Sequence, residues 1–85
     1  MHTILCYGDS NTFGTNPGGG RWAVDQRWTG LLASMLGPSY RIIEEGLGGR
    51  TTVFDDPLEP KRNGLEYVPV SLQSHRPLDL VILSL

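Results

Sequence analysis

Ile4-Leu5-Cys6-Tyr7-Gly8-Asp9-Ser10-Asn11-Thr12-Phe13-Gly14 is the stretch whose reading decides the fold. The apolar run Ile4 to Tyr7 reads as a strand buried on both faces, the pattern of a parallel-sheet strand. It stops at Gly8-Asp9-Ser10-Asn11, residues that favour turns and helix N-caps. In an open α/β sheet, ligands and chemistry gather at the carboxyl ends of strands. A hydroxyl, a carboxylate and several backbone N–H groups therefore stand where a substrate would sit. Ser10 is either a nucleophile or the cap of the segment that follows.

Outward from this strand the chain alternates. Thr15-Asn16-Pro17-Gly18-Gly19-Gly20 is too rich in Gly and Pro for regular structure and reads as a mobile loop on the same edge as Ser10. From Asp25, Trp28, Leu31, Leu32, Met35 and Leu36 follow the spacing of a helix with one apolar face; Asp25 can cap its start and Gly37-Pro38 stops it. Trp28 fits that stripe better than a ligand box. Tyr40 to Glu44 is a second short strand, ending in the glycine-rich turn Glu45-Gly46-Leu47-Gly48-Gly49-Arg50-Thr51-Thr52. Two such turns suggest neighbouring parallel strands presenting backbone amides to one place. Arg50 either holds a ligand anion or bridges to Asp55-Asp56, the structural link being the simpler choice. After a proline-punctuated loop, Leu65, Val68, Leu72 and His75 lie at helical spacing, with Pro69 in about the first turn and Arg76-Pro77 closing the helix. Leu78 to Leu85 is a third apolar strand. The order β-α-β-α-β, with right-handed crossovers, gives a parallel three-stranded sheet covered by helices.

Composition narrows the class. The chain has 85 residues, one small domain at most, able to bury about 60–65% of its unfolded surface. A net charge of −2 with scattered signs offers nucleic acid no basic surface. No run approaches the roughly 18 apolar residues of a membrane span, and the first strand leaves no room for a signal peptide. The single cysteine, Cys6, lies inside that strand and reads as a buried structural thiol. These features describe a soluble, cytoplasmic chain with no nucleic-acid or membrane partner. Since the last and most apolar strand wants a neighbour on each side, residues 1–85 are expected to be the N-terminal portion of a larger α/β domain.

A serine nucleophile needs a base, an orienting acid and an oxyanion hole. The N–H groups of Ser10 and Gly49 are the candidate donors for the hole. His2 starts the first strand, about 20–25 Å from Ser10 at some 3.3 Å per residue, and His75 precedes the third strand near the same edge. Neither is placed to serve as base. Asp9 is expected to hold the turn through backbone hydrogen bonds. One cysteine and two separated histidines form no metal cluster, and the glycine turns match neither G-x-x-x-x-G-K-[ST] nor G-x-G-x-x-G, so no metal or cofactor is expected.

Gly8-Asp9-Ser10-Asn11 after a first strand resembles the GDS(L) block of the SGNH (GDSL-type) hydrolases, and Gly48-Gly49-Arg50-Thr51-Thr52 resembles their second block. Asp25-Gln26-Arg27-Trp28-Thr29-Gly30, Ile43-Glu44-Glu45-Gly46-Leu47 and Pro77-Leu78-Asp79-Leu80-Val81-Ile82 are similar to the bacterial arylesterase/acyltransferase branch. The resemblance implies a flavodoxin-like three-layer α/β/α fold, of which this chain is the first β-α-β-α-β portion. It implies Ser10 as nucleophile, Ser10 and Gly49 as oxyanion donors, and Asn11 lining the acyl pocket where the family often has leucine. It also implies a small-molecule ester substrate, no cofactor, and homo-oligomerisation as an open question for the full-length protein. The family's later Gly-x-Asn-Asp and Asp-x-x-His blocks have no counterpart in the chain, so the 85 residues alone are expected to be inactive. Two alternatives stand beside this one: a flavodoxin-like phosphate or mononucleotide module gripping its ligand with Ser10, Asn11 and Thr12, and a non-functional gene remnant.

Overall fold

The computed structural model describes residues 1–85. The strand read first in the sequence is β1 (His2–Gly8), with β2 (Tyr40–Gly46) and β3 (Leu80–Ser84) on its two sides. Both pairings are parallel, as the crossovers require, and the order is β2-β1-β3. Because β1 is central, its apolar run is the core: Ile4, Leu5, Cys6 and Tyr7 are the buried hydrophobic residues. Asp79 fixes the start of the β1–β3 register. Its N–H donates to Thr3 O at 2.8 Å, and its Oδ2 accepts the Thr3 N–H at 2.7 Å.

Strand pleating sorts the side chains to two faces. Cys6 and its partner Glu44 point to one face; Tyr7 and Glu45 point to the other. Helix α2 (Trp28–Leu36) lies on the first face, where Thr29 Oγ1 donates to Glu44 Oε2. Helix α3 (Gly64–Ser74) lies on the second, where the Tyr7 hydroxyl donates to Gly64 O at 2.7 Å. Short helix α1 (Ser10–Phe13) follows β1 directly. This is a β-α-β-α-β arrangement of flavodoxin-like type, a parallel sheet with helices on both faces, with the expected alternation. No helix is long and apolar enough to cross a membrane.

Local details depart from expectation in four places. The N-cap of α2 is Arg27, not Asp25, and no side chain caps it. The α2 stripe is also only partly covered: Thr29 is fully buried, whereas Leu31 and Met35 are 48% and 83% exposed. Periodicity identified the apolar face, but only part of that face meets the sheet. In α3, Asn63 accepts the Leu65 and Glu66 N–H groups, so the helix starts early enough to put Pro69 in its second turn. A proline there removes the hydrogen bond to the Leu65 carbonyl. Finally, the stretch from Thr15 to Arg21 is a closed reversal: the two ends pair antiparallel, and Asn16 receives the N–H of Gly19 at its carbonyl and of Gly18 at Oδ1.

Candidate functional site

Ser10 opens α1 at the carboxyl end of the central strand. The cap is Asp9: its Oδ1 accepts the Asn11 N–H at 3.1 Å, and its carbonyl accepts those of Thr12 and Phe13. Asp9 therefore holds the turn, as expected, and the capping role that competed for Ser10 is already filled. The Ser10 hydroxyl is left half-buried and uncommitted, while its N–H belongs to the first-turn amides that lack an intrahelical acceptor. Asn11 beside it is exposed. Gly14, left-handed at φ +89°, ends the turn and sends its N–H to Ser10 O.

The height of this turn over the sheet is set by two glycines in register, Gly8 and Gly46. A Cβ on Gly46 would lie 2.2 Å from Phe13 N, and one on Gly8 would lie 2.1 Å from Thr12 Oγ1. Gly46 admits the backbone of α1 and Gly8 its Thr12 side chain, a partner the sequence did not reveal.

After β2 the chain makes a turn closed by Arg50 N–H to Leu47 O at 3.1 Å. Its third residue, Gly49, has φ +80°, the signature of a type II turn and a conformation glycine takes freely. The Gly49 N–H donates to no group of the chain. Leu47 N–H crosses to Gly8 O at 3.2 Å, so the second turn is tied to the end of the first strand.

Arg50 makes the same link through its side chain, and this corrects both roles considered for it. It is buried, makes no ion pair with Asp55 or Asp56, and is turned inward away from any anion site. Nη1 donates to Glu45 O at 2.7 Å and Gly8 O at 3.2 Å, and the guanidinium lies 4.2 Å from the Tyr7 ring and 5.5 Å from that of Tyr67. Carbonyl dipoles and aromatic faces replace the lost water, as a buried cation requires. Asp56 is spent locally, accepting the N–H groups of Leu58 and Glu59, which lower its pKa.

A bidentate, partly buried ion pair on the α2 face of the sheet was missed from sequence. Arg27 grips Glu44 through Nε and Nη2, both at 2.9 Å, and donates Nη1 to Trp22 O at 2.9 Å. The Arg27 hydrogen bonds hold the Glu44 carboxyl below its usual range, with the Thr29 hydroxyl acting the same way against burial. No local pattern marks two residues this far apart.

Neither histidine approaches Ser10. The His2 ring packs against Tyr40. His75 caps α3 and meets Glu45 Oε1 at 2.9 Å, so it sits over the sheet face opposite α1 rather than at the starting edge of the strands. Cys6 is fully buried, and burial followed by the Glu44 charge pushes its thiol up to about 11, fitting a structural thiol. No three His, Cys, Asp or Glu side chains gather where they could hold a metal ion. Surface concavities occur along α3, lined for example by Tyr67 and Val70 or by Val68 and Leu83, and Ser10 lines neither.

No family model and no curated protein matches the sequence, whereas solved structures do. An inhibitor-bound aryl esterase of M. smegmatis is 48% identical with a TM-score of 0.93, and the native form of that enzyme is 50% identical with a TM-score of 0.91. A carbohydrate acetylesterase from Sinorhizobium meliloti is 48% identical with a TM-score of 0.91. Each match covers 98% of this chain, and the chain spans 41% of the length of each of these structures.

Two consequences follow from this geometry. Replacing Gly46 with alanine forces α1 off the sheet; a loss of about 1–3 kcal/mol in stability is expected from such overpacking, and an unchanged denaturation midpoint contradicts the packing described. The Glu44 pKa is lower in the folded chain than in the unfolded one, so the Arg27–Glu44 pair stabilises fully above the ordinary value of 4.5 and less as pH falls through the folded value. Wild type should therefore exceed Glu44→Gln in stability at neutral pH and lose that advantage on acidification below about pH 4.5. A stability difference that stays constant from neutral pH to about pH 3 contradicts the assignment.

Proposed function

We propose, for a chain that belongs to the SGNH (GDSL-type) hydrolase family, that it carries the nucleophile and two oxyanion donors of a serine esterase or acyltransferase. The observation that carries this is the uncommitted Ser10 hydroxyl at the central strand end, with Asp9 already serving as the cap. The substrate class is a small-molecule carboxylic ester, with Asn11 beside the acyl group, and the enzyme acts in the cytoplasm. It binds no nucleic acid.

In this mechanism Ser10 Oγ attacks the ester carbonyl carbon and gives its proton to a general base. The carbonyl π pair moves onto oxygen, and the N–H groups of Ser10 and Gly49 stabilise the resulting oxyanion. Collapse of the intermediate re-forms the carbonyl and breaks the bond to the leaving alcohol, which takes the proton from the base. Water or a second alcohol then attacks the acyl-serine by the same sequence in reverse. The base and its orienting acid come from residues outside these 85, since His2 and His75 are engaged elsewhere. We take residues 1–85 as the N-terminal portion of that single esterase domain.

A phosphate module fits less well. The Asp9 carboxylate occupies the Asn11 N–H that such a ligand would need, and sets a negative charge at the mouth of α1.

The 85 residues alone should hydrolyse 4-nitrophenyl acetate no faster than their Ser10→Ala variant, because loss of base and acid costs several orders of magnitude. Joined to the remaining part of the M. smegmatis aryl esterase in place of the matched segment, the chain should support turnover that Ser10→Ala abolishes. A folded chimera whose turnover survives Ser10→Ala contradicts the proposal. For Gly49, proline is an unsuitable probe because it cannot take φ +80°, and alanine there costs about 1–2 kcal/mol of strain. Replacing Gly49 with glycolic acid deletes the N–H and keeps the backbone freedom. It should lower kcat by about 10²–10³ with little change in KM, as loss of one oxyanion donor does.

A further inference from the structure

Arg62 is the one side chain that hydrogen-bonds to the peptide group whose N–H is the proposed Gly49 donor. Its Nε donates to Gly48 O at 2.9 Å, and its Cγ and Nε lie 3.6 Å from where a Gly49 Cβ would be. The Gly48 carbonyl and the Gly49 N–H belong to one planar trans peptide, so fixing the direction of the C=O fixes that of the N–H. The bond is also charge-assisted. A cation on the carbonyl draws electron density through the amide and makes its N–H a stronger donor.

Arg62 is itself firmly placed. Its carbonyl accepts the Thr51 N–H at 2.7 Å, joining it to the strand of chain that leaves the Gly49 turn. Nη1 returns to Pro60 O at 2.8 Å, and Nη2 meets Glu59 Oε2 at 3.1 Å. Lys61, a non-glycine residue at φ +62°, reverses the chain just before it. A left-handed lysine costs on the order of 1 kcal/mol, and the hydrogen bonds around Arg62 hold it there. The Glu59 side chain is more than half exposed, so this ion pair adds little energy.

We propose that Arg62 is a positioning residue for ester chemistry at Ser10, acting through the Gly48–Gly49 peptide to aim and polarise the Gly49 N–H. This rests on the oxyanion assignment of Gly49. The effect belongs to the transition state, where negative charge builds on the carbonyl oxygen, and so falls on kcat rather than KM.

The test is a double-substitution cycle in the aryl esterase chimera, read as kcat and KM for 4-nitrophenyl acetate, with melting curves on every protein. Arg62→Ala should lower kcat about 10-fold with KM changed less than about 2-fold, a smaller loss than deleting the donor itself. Arg62→Lys, which keeps the charge but not the fixed fork, should lose part of that rate and reads the effect if the alanine variant fails to fold. In the glycolic acid background at position 49 there is no N–H left to aim, so the Arg62 substitutions should cost nothing further. An unchanged kcat in folded Arg62→Ala and Arg62→Lys overturns the proposal, and so does an equal loss in the glycolic acid background, which would mark a purely structural role. Turnover that survives Ser10→Ala, or a folded chimera without turnover, overturns the esterase proposal and the Arg62 role with it. Loss of Arg62 dependence while Ser10 dependence persists removes only the latter.

Discussion

Gly8 and Gly46 stand side by side at the ends of two parallel strands, and the Ser10 turn rests on the bare backbone they offer. A methyl group on either would lie more than an ångström inside ordinary contact distance of α1. The position of Ser10 is therefore set by two missing side chains. Upstream, that arrangement needs β1 to be central and buried so that its end cannot shift. Downstream, it needs Asp9 to complete the cap, which leaves the Ser10 hydroxyl uncommitted.

The second strand end is held to the first by backbone and by charge. Leu47 N–H and Arg50 Nη1 converge on Gly8 O, and Arg50 also holds Glu45 O. A buried guanidinium without a carboxylate partner is costly unless other groups solvate it; here two carbonyls and the faces of Tyr7 and Tyr67 do so. The Tyr7 hydroxyl in turn ties this cluster to the start of α3. Burial raises its pKa, with Arg50 opposing, and the bond to Gly64 O occupies its proton. Thus the two turns that supply the proposed donors are tied to each other and to the strand ends. On the opposite face, Arg27 and Glu44 anchor the chain between α1 and α2 to β2.

What the sequence disclosed was what short-range pattern can carry. The apolar run Ile4–Tyr7, its abrupt end at Gly8-Asp9, and the second glycine turn sufficed for a parallel sheet with Ser10 and Gly49 on neighbouring strand ends. The N-cap of α3 is also legible in retrospect, since Asn63 precedes Glu66 at the spacing of a capping box. The Arg27–Glu44 pair, the inward turn of Arg50 and the reach of Arg62 to Gly48 depend on tertiary approach, which local spacing does not encode. Periodicity likewise showed that α2 has an apolar face without showing how much of it the sheet covers, and Leu31 and Met35 remain exposed. Nothing in the local sequence around Gly8 and Gly46 named what packs on them, which is the chain's own next helix.

The central claim is that Ser10 is the group the fold prepares for covalent chemistry. The most direct measurement is mass mapping of the aryl esterase chimera after treatment with a fluorophosphonate, which phosphonylates an activated serine hydroxyl with loss of fluoride. The account predicts one adduct, on the peptide containing Ser10, absent from the Ser10→Ala protein. A folded chimera that takes no adduct on that peptide, or takes it on another hydroxyl of residues 1–85, contradicts it.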